Sequence, residues 1–247
     1  MILEVRDIKK SFGTTKVLDG INLSIQEGEC YCLIGRNGAG KSTLIHIIID
    51  LLETDRGVVK LFGSKYSDSS QLIKSNIGVL PEFNPVINEF TGIDYLRYVG
   101  MIYELPKKLM KKRIRILSNY FFEDSTNLKK KIGQYSKGMK IKIGICAAVI
   151  HKPKFLVLDE PFENLDPLAS NNLATFISDY RKQGNALLVS SHEINYVQKI
   201  ATHLGILETH KLIYSGSLEK ILNENEKKFD DQVSSMLGYT PKSLDNF

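Results

Sequence analysis

Several features are scarce in this chain of 247 residues, and each absence excludes a class of protein. There are three cysteines, Cys30, Cys32 and Cys146, and they suggest neither a disulfide framework nor a zinc site. No apolar stretch approaches the roughly 20 residues that a membrane-spanning helix needs. The N-terminus has acidic residues where a secretory signal has its apolar core, so we expect the chain to stay in the cytosol. Internal repeats, heptad arrays and low-complexity tracts are not evident either.

The composition that remains is ordinary for a globular protein, with 43% hydrophobic and 25% charged residues. A chain of this length can bury roughly three quarters of its unfolded surface, enough for one unit with two subdomains. The formal net charge is +5, and lysine and arginine cluster at residues 107–108, 111–113 and 129–131. We interpret these clusters first as a solvated helix face and second as a face toward anionic lipid headgroups. Nucleic acid comes last, because no aromatic residues interleave the basic ones and the pI of 8.9 is not extreme.

The most informative segment is residues 35–43, which read Gly-Arg-Asn-Gly-Ala-Gly-Lys-Ser-Thr. The pattern Gly, any four residues, Gly, Lys, Ser or Thr forms a loop that cradles nucleotide phosphates. An apolar strand is predicted before it and an apolar helix after it, which is the required context. The glycines let successive backbone N–H groups turn toward one anion, and the helix N-terminus adds partial positive charge. The predicted phosphate-binding residues are Gly35, Asn37, Gly38, Ala39, Gly40, Lys41, Ser42 and Thr43.

Within this loop, Lys41 is predicted to reach the terminal phosphates and the Ser42 hydroxyl to ligate Mg²⁺. A second strand, predicted at residues 155–158, is followed by Asp159 and Glu160. Ligands of open α/β sheets gather at the carboxyl ends of the strands. We therefore assign Asp159 to Mg²⁺ and Glu160 to polarising the attacking water, as the catalytic base.

A third strand, predicted at residues 186–191, delivers His192 to the same edge of the sheet. A single histidine after a strand is often only structural. Beside Lys41 and Glu160 it becomes a candidate hydrogen-bonding partner for the γ-phosphate.

The segment Tyr135-Ser136-Lys137-Gly138-Met139 opens an apolar helix 23 residues before Asp159. Ser136 is a suitable N-cap, and Gly138 would let the backbone approach an oxygen closely. The helix dipole favours a phosphate at this point, so the segment predicts a second anion site.

In this order of motifs the sequence resembles the ATP-binding cassette (ABC) family, over residues 1 to about 222. The resemblance places Phe12 where the family stacks on adenine and Glu82 where a glutamine loop is usual. Residues 135–139 stand for the family signature, residues 165–167 for the loop that crosses to a partner subunit, and His192 for the switch histidine. Lys137, Met139 and Glu82 depart from the family pattern. Glu82 can still ligate Mg²⁺, because a carboxylate is a stronger hard-oxygen ligand than an amide.

The combination looks like the single-domain ATPase subunits of ABC-2 type exporters. The fold expected is α/β, a P-loop NTPase parallel-sheet core with an antiparallel β subdomain and a helical, signature-bearing subdomain. We place the nucleotide-binding domain at residues 1–222, its helical subdomain at about 88–150 and a polar C-terminal tail at 223–247. The antiparallel layer is predicted from the alternating strands of residues 1–30 and 58–62.

The resemblance implies an ATPase that uses ATP and Mg²⁺ and drives an integral-membrane permease from the inner face of the cell membrane. It also implies a homodimer, in which Ser136 and Gly138 of one copy complete the site built by Lys41, Asp159 and Glu160 of the other. No contact with cargo or nucleic acid is expected. Two alternatives stay open: a non-transport ABC ATPase acting on ribosomes or nucleic acid, and a P-loop kinase or GTPase. The second is disfavoured, because no Asn-Lys-x-Asp guanine-reading motif occurs.

A further expectation concerns residues 83–90, with Tyr95 and Tyr98, which bring aromatic and apolar side chains next to Glu82. Part of this segment is predicted to be an exposed groove that receives a cytoplasmic helix of the permease. Ordinary core packing of the helical region is the competing interpretation.

Overall fold

A computed structural model describes residues 1–122, 124–224 and 229–236 of the chain. The strands in these ranges are β1 Leu3–Phe12, β2 Thr15–Ile25, β3 Cys30–Gly35, β4 Arg56–Leu61, β5 Ile77–Leu80, β6 Phe155–Asp159, β7 Ala186–Ser190, β8 His203–Glu208 and β9 Lys211–Ser217. The helices are α1 Lys41–Ile48, α2 Tyr66–Asn76, α3 Gly92–Ile102, α4 Lys107–Phe121, α5 Lys137–Val149, α6 Pro167–Lys182, α7 Ile194–Ile200, α8 Leu218–Glu224 and α9 Phe229–Met236.

A mixed sheet with the strand order β5-β6-β7-β3-β8-β9 forms the core. The first five strands of this order pair in parallel, and β9 joins β8 as an antiparallel hairpin. Strands β3, β6 and β7 are buried along their whole length, which explains their continuous apolar sequences. Because they run in parallel, Gly35, Asp159 and Ser190 all end at one edge of the sheet. The predicted parallel-sheet core is confirmed.

The two faces of this sheet belong to two apolar clusters, and β3 shows the division residue by residue. Cys30, Cys32 and Ile34 pack with the helices α5, α6 and α7 on one face. Tyr31 and Leu33 pack with α1 and the antiparallel layer on the other. This alternation follows the two-residue period of a strand. All three cysteines are buried and free, as the sequence indicated.

The predicted antiparallel layer is also present, as a sheet with the strand order β2-β1-β4. It covers α1, whose Leu44 and Ile48 are fully buried. The helical region predicted at about 88–150 contains α3, α4 and α5, which end shortly before β6 resumes the core sheet.

The C-terminal segment is more structured than the sequence alone suggested. The first residues of the predicted polar tail complete α8, and α9 buries Phe229 and Val233 against the same core as α7. Phe229 and Val233 are four positions apart, so their apolar side chains lie on the same face of α9 and are buried together. Residues 237–247, also assigned to the tail, lie outside the described residues.

Candidate functional site

The predicted phosphate loop connects the buried strand β3 to helix α1. Gly38 and Gly40 have φ angles of 81° and 106°, in a region that favours glycine. At Gly40 a side chain would also come within about 3.1 Å of Val17 and Leu18. No side chain of the described residues caps α1, so the N–H groups of its first turn are available to an anion. The loop therefore has the backbone that phosphate binding requires.

Lys41, the first residue of α1, is only 6% exposed although it carries a charge. Its Nζ donates to the carbonyl oxygen of Gly35 at 2.9 Å and lies 3.3 Å from Oε1 of Glu160. A buried ammonium group needs such compensation. These contacts fix the ammonium group at the loop and pair it with Glu160, which follows β6.

Glu160 follows the last residue of β6 and has a φ angle of 48°, in the left-handed region. A non-glycine residue in that region is under backbone strain, which is typical of functional sites. Its backbone N–H donates to Oγ of Ser190 at 2.9 Å. Its Oε2 lies 2.9 Å from Nδ1 of His192 and accepts from the His192 backbone N–H at 3.2 Å. The carboxylate is thus held between the lysine and the histidine.

Asp159 is 2% exposed. Among the described residues, only one of its two carboxylate oxygens has a hydrogen-bond partner. Its Oδ1 accepts a hydrogen bond from the Ser190 hydroxyl. Within the described part of the chain, its Oδ2 has no hydrogen-bond partner. Burial raises the pKa of this carboxyl above 3.8; the Ser190 and Ser42 hydroxyls oppose the shift, and the nearby Glu82 and Glu160 add to it.

The donor set beside this buried oxygen fits a divalent cation. The Ser42 hydroxyl donates to Oε2 of Glu82 at 3.1 Å, which brings the two other predicted Mg²⁺ ligands together. Among the described residues no cluster of three His, Cys, Asp or Glu side chains is placed to hold a metal. The site instead offers two carboxylates and a hydroxyl, hard oxygens of the kind that Mg²⁺ uses together with substrate phosphates.

A cavity of about 470 Å³ lies over these groups. Its lining residues are Val17, Asn37, Gly38, Gly40, Lys41, Ser42, Thr43, Glu82, Glu160, Glu163 and His192. Asp159 lies beneath this lining, next to Ser42 and Glu160. The structure therefore brings the phosphate loop, Glu82, the two carboxylates after β6 and His192 to one place, although these residues are far apart in sequence.

Gly35, Ala39 and Asp159 do not line this cavity, and neither do the predicted site residues Phe12, Ser136 and Gly138. Phe12 ends β1 with 52% of its surface exposed, and Lys10 Nζ lies 5.5 Å from the centre of its ring. Ser136 is the N-cap of α5, and its hydroxyl accepts from the Met139 N–H at 3.2 Å. Gly138 packs so closely that a side chain there would come within 3.0 Å of the Asn164 carbonyl oxygen. The predicted N-cap is confirmed, at a second helix N-terminus.

Sequence reasoning missed Ser190, which bridges Asp159 and the Glu160 backbone. The sequence feature that could have identified Ser190 is a polar residue at the end of a buried apolar strand, two positions before His192. It also missed Val17 and Glu163 in the cavity lining. Val17 lies on a neighbouring sheet, and no local pattern indicates that it faces the phosphate loop.

Comparisons with known proteins agree with this geometry. A family model described as "ABC transporter" matches residues 18–163. The ABC transporter ATP-binding protein NatA of Bacillus subtilis is 34% identical over 217 residues, covering 87% of each chain. The Nod factor export ATP-binding protein I of Rhizobium sp. is 28% identical over 242 residues, covering 98% of this chain and 78% of that protein. The chain therefore belongs to the ABC transporter family.

A solved structure described as an ATP-binding subunit of an ABC transporter superposes with a TM-score of 0.89 at 29% identity. It covers 97% of this chain and 100% of that one. Among the helices that the structure describes, none combines the length and the apolar character that crossing a bilayer requires.

Proposed function

We propose that the protein is the ATP-hydrolysing subunit of a membrane exporter and works as a dimer that holds ATP between two copies. The observation that carries the proposal is the convergence of Lys41, Ser42, Asp159, Glu160 and His192 at the carboxyl edge of the sheet. Phosphoryl transfer depends mainly on positioning and on stabilising negative charge, and these residues supply both. The relative named for Nod factor export supports an export role and the resemblance to the ABC-2 branch.

In the proposed reaction the loop N–H groups and Lys41 bind the β- and γ-phosphates. Glu160 accepts a proton from the attacking water, and His192 keeps the Glu160 carboxylate oriented and contacts the γ-phosphate. Mg²⁺, held by Ser42, Asp159 and Glu82, would neutralise charge on the phosphate oxygens. A cation at this position would also satisfy the free Oδ2 of Asp159.

The dimer follows from the position of the second helix N-terminus. Ser136 and Gly138 do not line the cavity that holds Lys41 and Glu160. We expect a phosphate bound in that cavity to meet them on another copy of the chain. The family organisation, in which the signature acts on the partner's nucleotide, supports this arrangement.

The adenine base is expected to stack on Phe12, whose ring is exposed at the end of β1. Base stacking on an aromatic side chain contributes roughly 1 to 3 kcal/mol. Phe12→Ala should therefore weaken ATP binding about 5- to 150-fold, measured by isothermal titration calorimetry. Phe12→Tyr keeps the ring and should bind ATP like the wild type. Equal affinity of the alanine variant and the wild type would exclude this role for Phe12.

The permease is proposed to dock beside Glu82. The Phe83 side chain is 86% exposed, and a groove of about 800 Å³ opens next to it. Its lining includes Asn84, Pro85 and Tyr95 from the segment that the sequence singled out, with Val99 and Ile102 of α3. An apolar groove of this size fits one amphipathic helix. Docking there would place the chain on the inner face of the membrane. Because Glu82 precedes Phe83 in the sequence, docking would also be coupled to the metal site.

Phe83→Asp tests both the docking site and the transport function. Because Phe83 is 86% exposed, the change should leave folding and basal ATPase activity intact. We expect a multi-span membrane protein to co-purify with the tagged wild-type chain from solubilised membranes, and to be lost with the variant. Leu51→Asp is the matched control, because Leu51 is 71% exposed and follows α1, whereas Phe83 lies between groove-lining residues Pro81 and Asn84 in the sequence. Recovery of ribosomes or nucleic acid instead of a membrane protein would contradict the transport function.

We further propose the nucleotide-binding domain predicted at residues 1–222, with a helical subdomain from about 88 to 150; α8 and α9 extend its packed core past residue 222. The signature at the start of α5 belongs to the helical part, and the phosphate loop belongs to the sheet.

A further inference from the structure

Helix α4 carries a row of cations on its solvent side. Lys108, Lys111, Lys112 and Arg115 follow the i, i+3, i+4, i+7 spacing that puts side chains on one helix face. All four are exposed, and with Pro106 and Leu109 they line a groove of about 610 Å³. The opposite side of α4 is buried through Met110, Ile114, Ser118 and Phe121. We refer to the four cationic residues as the basic face.

The residues that the structure describes do not neutralise the basic face. Helix α4 contains no aspartate or glutamate, and none of the four cations forms an ion pair with another described residue. Like charges three and four positions apart destabilise a helix. Lys108 also lies in the first turn, where the helix dipole disfavours a positive charge. An anionic partner outside the chain would relieve both effects.

Exposed apolar side chains lie at the end of the neighbouring helix. Helix α3 ends with Met101 and Ile102, which are 61% and 60% exposed. The end of α3 packs against the start of α4 on the buried side of that helix, where a side chain at Gly100 would come within 2.6 Å of Met110 Sδ. Cations beside exposed aliphatic and thioether groups make an amphipathic surface of the kind that binds a lipid–water interface. A nucleic acid would bind the cations through its phosphates, and Met101 and Ile102 would add nothing to that binding.

We propose that the basic face, together with Met101 and Ile102, binds the surface of an anionic phospholipid bilayer. The basic face would lie among the lipid headgroups. Met101 would enter the acyl boundary, and so would Ile102 as long as no permease helix covers it. The proposal rests on the proposed function in one respect: Ile102 also lines the permease groove, so permease docking would turn the junction of α3 and α4 toward the membrane.

Co-sedimentation of the full chain with vesicles tests the proposal without nucleotide or permease. The vesicles contain phosphatidylcholine alone, or phosphatidylcholine with about one third phosphatidylglycerol. We expect binding to the anionic vesicles only, and weaker binding as salt is raised. Changing Lys108, Lys111, Lys112 and Arg115 together to glutamine should lower the partition coefficient about 10²- to 10³-fold.

A control variant with Lys65, Lys154, Lys211 and Lys220 changed to glutamine loses the same charge from exposed positions elsewhere. It should keep most of the binding. Met101→Ser with Ile102→Ser should weaken vesicle binding about tenfold and leave any binding of double-stranded RNA unchanged.

Three results would overturn the proposal: equal sedimentation with neutral and anionic vesicles, equal losses in the two quadruple variants, or vesicle binding that does not depend on Met101 and Ile102. Phe83→Asp should bind vesicles like the wild type. A failure of permease docking is thereby distinguished from a failure of lipid binding.

Discussion

Glu160→Gln should slow ATP turnover about 10²- to 10⁴-fold while leaving ATP binding intact. The amide keeps the shape of the side chain and can still bond to His192, but it cannot accept a proton from water. ATP would then persist between two copies, so the variant should be a dimer in ATP and a monomer in ADP. Phosphate release measures the turnover, and size-exclusion chromatography with light scattering measures the mass.

Two further variants make this result specific. Glu163→Gln removes another carboxylate of the cavity, one with no ion pair to Lys41 or His192 among the described residues, and should turn over ATP close to the wild-type rate. Ser136→Arg in the Glu160→Gln background should abolish the dimer, because it places bulk at the N-terminus of α5. Turnover of Glu160→Gln at the wild-type rate would exclude Glu160 as the base. A monomer in saturating ATP and Mg²⁺ would contradict the two-copy site.

Asp159→Asn should separate catalysis from stability. Burial raises the pKa of Asp159, so the folded state binds its proton more tightly than the unfolded state does. The stability that the protonated group contributes is lost as pH rises from 3.8 through the raised pKa, and at neutral pH the buried charge is destabilising. The neutral amide removes that charge and can still accept from Ser190. We expect an equal or higher melting temperature without Mg²⁺, and turnover reduced about 10²- to 10³-fold.

Ser190→Ala is the matched control for that result. It removes the hydroxyl that donates to Asp159 and accepts from the Glu160 N–H, so its melting temperature should fall. A lower melting temperature for Asp159→Asn, with turnover retained, would show that the aspartate is structural and would remove it from the proposed metal site.

Local sequence patterns determined the parts of this protein that depend on near neighbours. The glycine spacing of residues 35–43 predicted the phosphate loop, because the turn and the helix after it are short-range structures. Continuous apolar runs predicted β3, β6 and β7, since strands covered on both faces must be apolar throughout. Ser136 predicted the start of α5 for the same kind of reason, because an N-cap acts within three residues.

The tertiary structure decided which of these pieces meet and in what electrostatic state. Parallel pairing brought Lys41, Glu160 and His192 within hydrogen-bonding range, and it placed Ser190 between Asp159 and Glu160. Val17 reached the cavity from another sheet. Neither Oδ2 of Asp159 nor the basic face of α4 has a partner among the described residues, and this follows from burial and from the distances between charges. Both quantities depend on residues distant in sequence, so the spacing of residues along the chain could not supply them.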